Sequence, residues 1–362
     1  MPILTVRHVT TYRYRQPVSF GEHRMMLRPR EGYDQRLLEA RIEIAPEPAD
    51  LWWMHDVFGN SVGVACFRDR ARELRFESTM RLDHRPVEAL DFRLERHARS
   101  LPFSYTIDEM PDLARSIERH HADPDHAVDL WARGFLRKDG PTETLGLLTA
   151  MTKAVKRDFT YIPRTMRGIQ EPGRTLELGS GTCRDFALLM MEAVRSLGLA
   201  ARFVSGYLYS PGADGAGHVG GGATHAWVRV YLPGAGWVEF DPTNGIVGNR
   251  DLIRVAVARD PAQAVPLYGS WKGFPDDSLG MEVSVQVTAE PGPKPPALPP
   301  GPRQGRAPAP LPAAEMPEEM PDTGALGPGP SGPAQPAGAR HAGTQPVDTE
   351  PGASPSPVLP AI

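Results

Sequence analysis

The sequence predicts an α+β protein, and three changes of pattern along the chain carry that reading. Residues 1 to about 90 hold short β-rich runs divided by turn chemistry: LTVRHVTTYRY, LEARIEIAP, DLWWMHDVFG, NSVGVACF and LRFESTMRL. From about residue 92 the apolar spacing lengthens to three and four, in MPDLARSIERHHA, HAVDLWARGFLRK and TETLGLLTAMTKAVKRDF. Strand-like segments then return in ARFVSGYLYS, HAWVRVYL and WVEFD.

The N-terminal runs alternate, so each strand buries one face, which predicts a small antiparallel sandwich or barrel. No catalytic constellation gathers there, and its expected role is structural or substrate-shaping. Among the helices, Asp125 precedes the second, and Pro141-Thr142-Glu143 opens the third, both good helix starts. The cluster His120, His121, Asp123, Asp125 and His126 invites a metal reading. It straddles a helix end and an Asp-Pro turn, however, and no compact ligand pattern emerges. Fold reasoning ends near residue 289. The tail from Glu290 to Ile362 holds, from Pro291 onward, 21 of the 39 prolines and no Phe, Trp or Tyr. Such a segment buries too little apolar surface to offset its ordering entropy, so a disordered tail with polyproline II character is expected. The domains are thus expected at 1–90, 91–289 and 290–362.

Length and composition narrow the function. A chain of 362 residues, 40% hydrophobic and 23% charged, has room for two modest cores. A formal net charge of -4 is too near neutral to direct it to nucleic acid or an anionic membrane. No apolar run reaches about 18 residues, so no transmembrane helix is expected. The opening MPILTVRHVTTYRYR lacks the apolar core of a signal peptide, and the expected compartment is the cytoplasm. Cys66 and Cys183, the two cysteines present, suit a reducing compartment rather than a disulfide scaffold. Cys66 in SVGVACF reads as a small buried hydrophobe. Cys183 stands where GSGTCRDF turns from loop to helix.

In GSGTCRDFALLMMEAVRSLG, Phe186, Leu189, Met190, Ala193, Val194 and Leu197 recur at helical spacing, and Gly198 is a natural stop. Cys183 continues that stripe at the first turn, behind a capping-competent Gly179-Ser180-Gly181-Thr182 entry. A thiol at a helix N-terminus sits where the dipole and unpaired N–H groups favour a thiolate, and where the same N–H groups can stabilise an oxyanion. In HAWVRVYLPGAGWVEFDPTNG, alternation places His225, Trp227, Arg229 and Tyr231 on one face, with Trp237, Glu239 and Asp241 together on the next strand. A hairpin closed at about Gly234 brings Asp241 opposite His225 or within a few positions. A carboxylate there accepts from one imidazole nitrogen and leaves the other for a thiol.

G-T-C-R-D-F at 181–186, T-H-A-W at 224–227 and G-W-V-E-F-D-P-T-N at 236–244 together resemble the transglutaminase-like superfamily, in its bacterial form with an N-terminal β-domain. The resemblance covers about 1–275. It implies a papain-like core with a Cys183-His225-Asp241 triad: Cys183 forms a thioester, His225 moves the proton, and Asp241 holds the imidazole. The resemblance also implies an aromatic or polar second oxyanion donor upstream of the cysteine, for which Tyr161, in DFTYIP, is the candidate. Trp227, Trp237 and Phe186 are expected to pack, and Arg184 and Asp185 to make structural hydrogen bonds. A protein or peptide substrate is implied, attacked at glutamine side chains or amide bonds, with no cofactor and no metal, since no acidic calcium loop is recognisable. A non-catalytic binding scaffold that uses the cleft and the Pro-rich tail is the competing reading.

Overall fold

The computed structural model describes residues 3–86, 92–163, 168–210, 219 and 222–290. The expected disordered tail, from 291 onward, lies outside the described residues. The first strands are β1 (Ile3–Met25), β2 (Gln35–Ala45), β3 (Asp50–His55), β4 (Ser61–Cys66) and β5 (Arg70–His84). Later come β6 (Ala201–Leu208), β7 (His225–Leu232), β8 (Gly236–Asp241), β9 (Leu252–Ala258), β10 (Leu267–Lys272) and β11 (Ser278–Glu290). Five helices lie between them: α1 (Met110–Ile117), α2 (Ala127–Arg133), α3 (Thr144–Asp158), α4 (Pro172–Leu178) and α5 (Cys183–Ser196).

The N-terminal β-domain is one seven-stranded curled sheet, ordered β2-β5-β1-β4-β3, with β10 and β11 also paired to β1. Register shifts in β1, between Arg13 and Val18 and between Phe20 and His23, let this 23-residue strand bend and change partners. Its first half pairs with β5 and β11, and its second half with β4 and β10. The curl closes over Tyr12, Tyr14, Phe20, Phe76 and Trp271. Residues 267–290, near the end of the second expected domain, therefore complete the sheet that Ile3 begins, and all described residues fall in one compact unit.

The second sheet runs Ile246–Val247, β8, β7, β6, β9. Its inner face meets α5, which is buried on almost every side: Leu188, Leu189, Met190, Met191, Ala193 and Val194 have no exposed surface. Each such large aliphatic contributes roughly 1.5–3 kcal/mol of burial. The two charges on α5 that enter this interior are paired, Arg195 to Glu192 at 2.8 Å, with Arg195 also donating to Ser116 O, Ala201 O and Arg259 O. Leu4, Val6, Met80 and Leu82 of the curled sheet pack on Tyr207, Ile253 and Val255. Asn60 adds a polar joint: its Nδ2 donates to Val257 O (2.8 Å) and its Oδ1 accepts from Val257 N–H (2.9 Å). One side chain thus satisfies the outward backbone groups of β9, as a neighbouring strand would.

Candidate active site

The start of α5 is fixed by its own sequence. Thr182 is the N-cap, and the Asp185 carboxylate accepts from Thr182 N–H at 2.7 Å while Thr182 Oγ1 accepts from Asp185 N–H, a reciprocal capping box. The other Asp185 oxygen accepts from Gln170 N–H at 2.8 Å. Cys183 is therefore the first helical residue, 7% exposed, and its sulfur is a free thiol. The next residue, Arg184, donates to Pro261 O and stacks on Phe203, so it anchors the helix as expected.

His225 opens β7 and Asp241 closes β8. Val228 faces Phe240 and Arg229 faces Glu239, a register that sets Asp241 diagonally across from His225, as the hairpin predicted. His225 Nε2 lies 2.8 Å from Asp241 Oδ2, with both side chains fully buried. The remaining nitrogen, Nδ1, is buried without a hydrogen-bond partner among the described residues, and Cys183 is near enough to act on the charge of the ring. Burial works against the imidazolium, but the Asp241 carboxylate and then Cys183 outweigh it and raise the His225 pKa to about 10. Burial likewise opposes the Asp241 charge, yet His225 and Asn244 hold this carboxyl below the usual carboxylate range.

Packing keeps the ring in place. Trp227 stacks on His225 with centroids 6.0 Å apart and planes 29° apart. Gly206 is the β6 residue opposite His225, and a Cβ there would collide with Ile253 O and the Trp227 ring. Phe186 packs edge-on against Phe159, and Trp237 lies under the Arg202 guanidinium, both packing roles as expected. Tyr161 reaches the site through a two-residue parallel bridge, Tyr161 facing Gly181. Burial and then the Cys183 charge push its phenol up to about 12, so it keeps its proton and remains a donor.

Two contributors escaped the sequence reading. The Asp241 Oδ1 accepts from Thr243 N–H (2.9 Å), and Asn244 Nδ2 donates to Asp241 Oδ2 (2.9 Å). The signal was present in D-P-T-N, a turn whose Asn stands three residues after the carboxylate, but it reads equally well as plain turn chemistry.

The histidine cluster near 120 is used otherwise. His121 Nδ1 meets Glu171 at 2.8 Å and its Nε2 meets Asp260 at 3.3 Å, while Asp123 pairs with Arg119. The backbone N–H groups of His120 and His121 point at Glu192 of α5. Among the described residues no group of three or more His, Cys, Asp or Glu side chains is placed to hold a metal ion.

Comparison with known proteins bears on the family and the fold. Residues 4–83 match the bacterial transglutaminase-like N-terminal region, and residues 131–242 match the transglutaminase-like superfamily model. The uncharacterised protein Rv2569c of Mycobacterium tuberculosis is 31% identical over 301 residues, 78% of this chain and 91% of the relative. The chain belongs to the transglutaminase-like superfamily. The uncharacterised protein ML0607 of Mycobacterium leprae is 26% identical over 286 residues, 79% of this chain and 98% of that one. The fold matches the crystal structure of a presumed cysteine protease from Cytophaga hutchinsonii with a TM-score of 0.60 at 18% identity, over 80% of this chain and 90% of that one. One family model thus falls on strands of the curled sheet and the other on the segment that carries α5, β7 and β8.

Proposed function

We propose that the protein is a cysteine-dependent acyl-transfer enzyme that forms a thioester on Cys183 from a glutamine side chain or a peptide or amide bond. The observation that carries this reading is the polarity of His225: Nε2 is committed to Asp241, and the buried Nδ1 is left for the Cys183 sulfur. His225 is held as the imidazolium, so Nδ1 already carries the proton when sulfur attacks the carbonyl carbon in the first half-reaction. The imidazolium, stabilised by Asp241, then protonates the departing nitrogen as the C–N bond breaks. Water or a primary amine next attacks the thioester, losing a proton to Nδ1. The C–S bond breaks, sulfur leaves as the thiolate, and the proton stays on Nδ1.

Negative charge on the carbonyl oxygen develops beside the first N–H groups of α5 and the Tyr161 hydroxyl, which we assign as the oxyanion donors. The acyl acceptor decides between crosslinking and hydrolysis, and the same three residues serve both.

The test is incubation of wild-type and Cys183→Ala protein with a glutamine-containing casein substrate, with and without a labelled primary amine, read by mass spectrometry. Amine incorporation, deamidation or chain cleavage that disappears in Cys183→Ala is the expected result. Products that are identical in the two proteins would sink the proposal.

A further inference from the structure

We infer that Asn244 is a positioning residue of this site, one that fixes the Asp241 carboxylate and through it the working tautomer of His225. The inference rests on the Cys183-His225-Asp241 reading above.

The Asn244 amide is committed at both ends. Its Oδ1 accepts from Val219 N–H at 2.8 Å. Its Nδ2 donates to Asp241 Oδ2 at 2.9 Å and to Val219 O at 3.2 Å. These partners set which end is oxygen and which is nitrogen, since an N–H can be accepted only by the oxygen. The Asn244 backbone N–H adds a further donor, 3.3 Å from Asp241 Oδ1.

The tautomer follows from the resulting crowd at Oδ2. That oxygen lies 2.8 Å from His225 Nε2, and Asn244 Nδ2 lies 3.4 Å from the same imidazole nitrogen. Nδ2 is a donor, so Nε2 faces a carboxylate on one side and an N–H on the other. A lone pair on Nε2 would point at the carboxylate, so Nε2 carries the proton. Nδ1, buried without a hydrogen-bond partner among the described residues, is then the lone-pair nitrogen in the neutral ring and the one left to exchange a proton with Cys183. Without the amide, Asp241 keeps backbone donors on Oδ1 alone, and Oδ2 is free to swing off the His225 axis. Asn244 is 6% exposed and Asp241 fully buried, so water is poorly placed to replace that donor.

The experiment needs no substrate. Alkylation of Cys183 by iodoacetamide is followed by peptide-resolved mass spectrometry from pH 5 to 10 in the full chain, with Cys66 as internal reference. Wild type is compared with His225→Ala, Asp241→Asn, Asn244→Ala and Asn244→Ser, which retains a short donor. In wild type the His225 pair sustains Cys183 reactivity at pH 6. The expected result is that Asn244→Ala slows alkylation at pH 6 by roughly ten-fold, the scale of one lost hydrogen bond to a charged group. The deficit narrows as pH rises toward 10, and Asn244→Ser falls between. Mere loosening of the fold would do the opposite: the buried thiol would open and react faster at every pH.

An Asn244→Ala profile that overlays wild type, while His225→Ala and Asp241→Asn depress it, would overturn the inference and leave the proposed function standing. Faster reaction at all pH values, or loss of a cooperative melt in both Asn244 variants, would assign Asn244 to the fold and overturn it too. A Cys183 profile indifferent to His225→Ala and Asp241→Asn would remove the functional reading itself, and this inference with it.

Discussion

His121 and His225 both touch carboxylates, and they show how a candidate base differs from a structural clamp. His121 has both ring nitrogens occupied, by Glu171 and Asp260. His225 has one nitrogen on Asp241 and the other buried without a hydrogen-bond partner among the described residues. Both are held more basic than a free imidazole, to about 9 for His121 and about 10 for His225, through their acidic partners. Basicity alone therefore does not mark the site. A buried nitrogen left without a partner, on a ring whose other nitrogen holds a buried carboxylate, is what distinguishes His225, because that nitrogen can take up and release a proton during a reaction.

The sharpest way to break this comparison is to remove each ring. His225→Ala should lower Cys183-dependent turnover by about 10²–10⁴-fold, the usual worth of a general base. His121→Ala should leave turnover as it is. Equal losses in the two variants would show that the free nitrogen is not what matters.

Burial separates the acids in the same manner. Asp241→Ala strands an imidazolium in the interior and should cost roughly 3–5 kcal/mol in urea unfolding. Asp260→Ala removes one partner from a partly exposed pair and should cost less than about 1 kcal/mol. Similar costs for the two would mean that Asp241 is no more enclosed than Asp260.

A third type of histidine sharpens the contrast through pH. His8 is buried between Tyr207 and Thr10 with no acid beside it, and burial pushes its pKa down to about 4. His23 is likewise lowered by burial to about 4, against a small opposing bond to Gly21 O. The unfolded chain binds protons at these histidines near pH 6.5, before the folded chain does. Their contribution is thus intact above about 6.5 and is lost as pH falls toward 4. Melting temperature should drop over that window, and His8→Gln should flatten the drop.

The smallest expected effect lies on the alkaline side. His121 is raised, so its stabilisation is full below about 6.5 and disappears as pH climbs through about 9. Its half-exposed setting screens the effect. His121→Gln should remove the early part of the alkaline decline in melting temperature and leave the later part, which belongs to His225 near 10. An unchanged decline would detach His121 from it.

The reacting residues were legible because each sits in a local pattern. The capping sequence puts Cys183 at a helix start, and a tight hairpin ties Asp241 to His225 across 16 positions. The five N-terminal strands and three of the helices were equally local. What stayed hidden depends on distant pairing. LIRVAVA of β9 is buried at every position, so it has no alternation to betray a strand. The seven residues of α4 are too few to show a period. The buried network in which Arg254 joins Asp34 and Glu239 spans more than 200 positions, and no local rule connects those residues.

The pairing of β1 with β11 also sets a schedule for the molecule. A nascent chain can offer β5 to one edge of β1 once His84 has emerged. The other edge must wait for residues 278–290, with Ile3 finally meeting Glu290. At typical synthesis rates that interval is roughly 10–40 s, during which an alternating, half-apolar strand edge stands open to any other strand nearby. The ribosome must thus deliver almost the whole described chain before its first strand is closed. Shielding of that edge during translation becomes a condition for the curled sheet to close in cis.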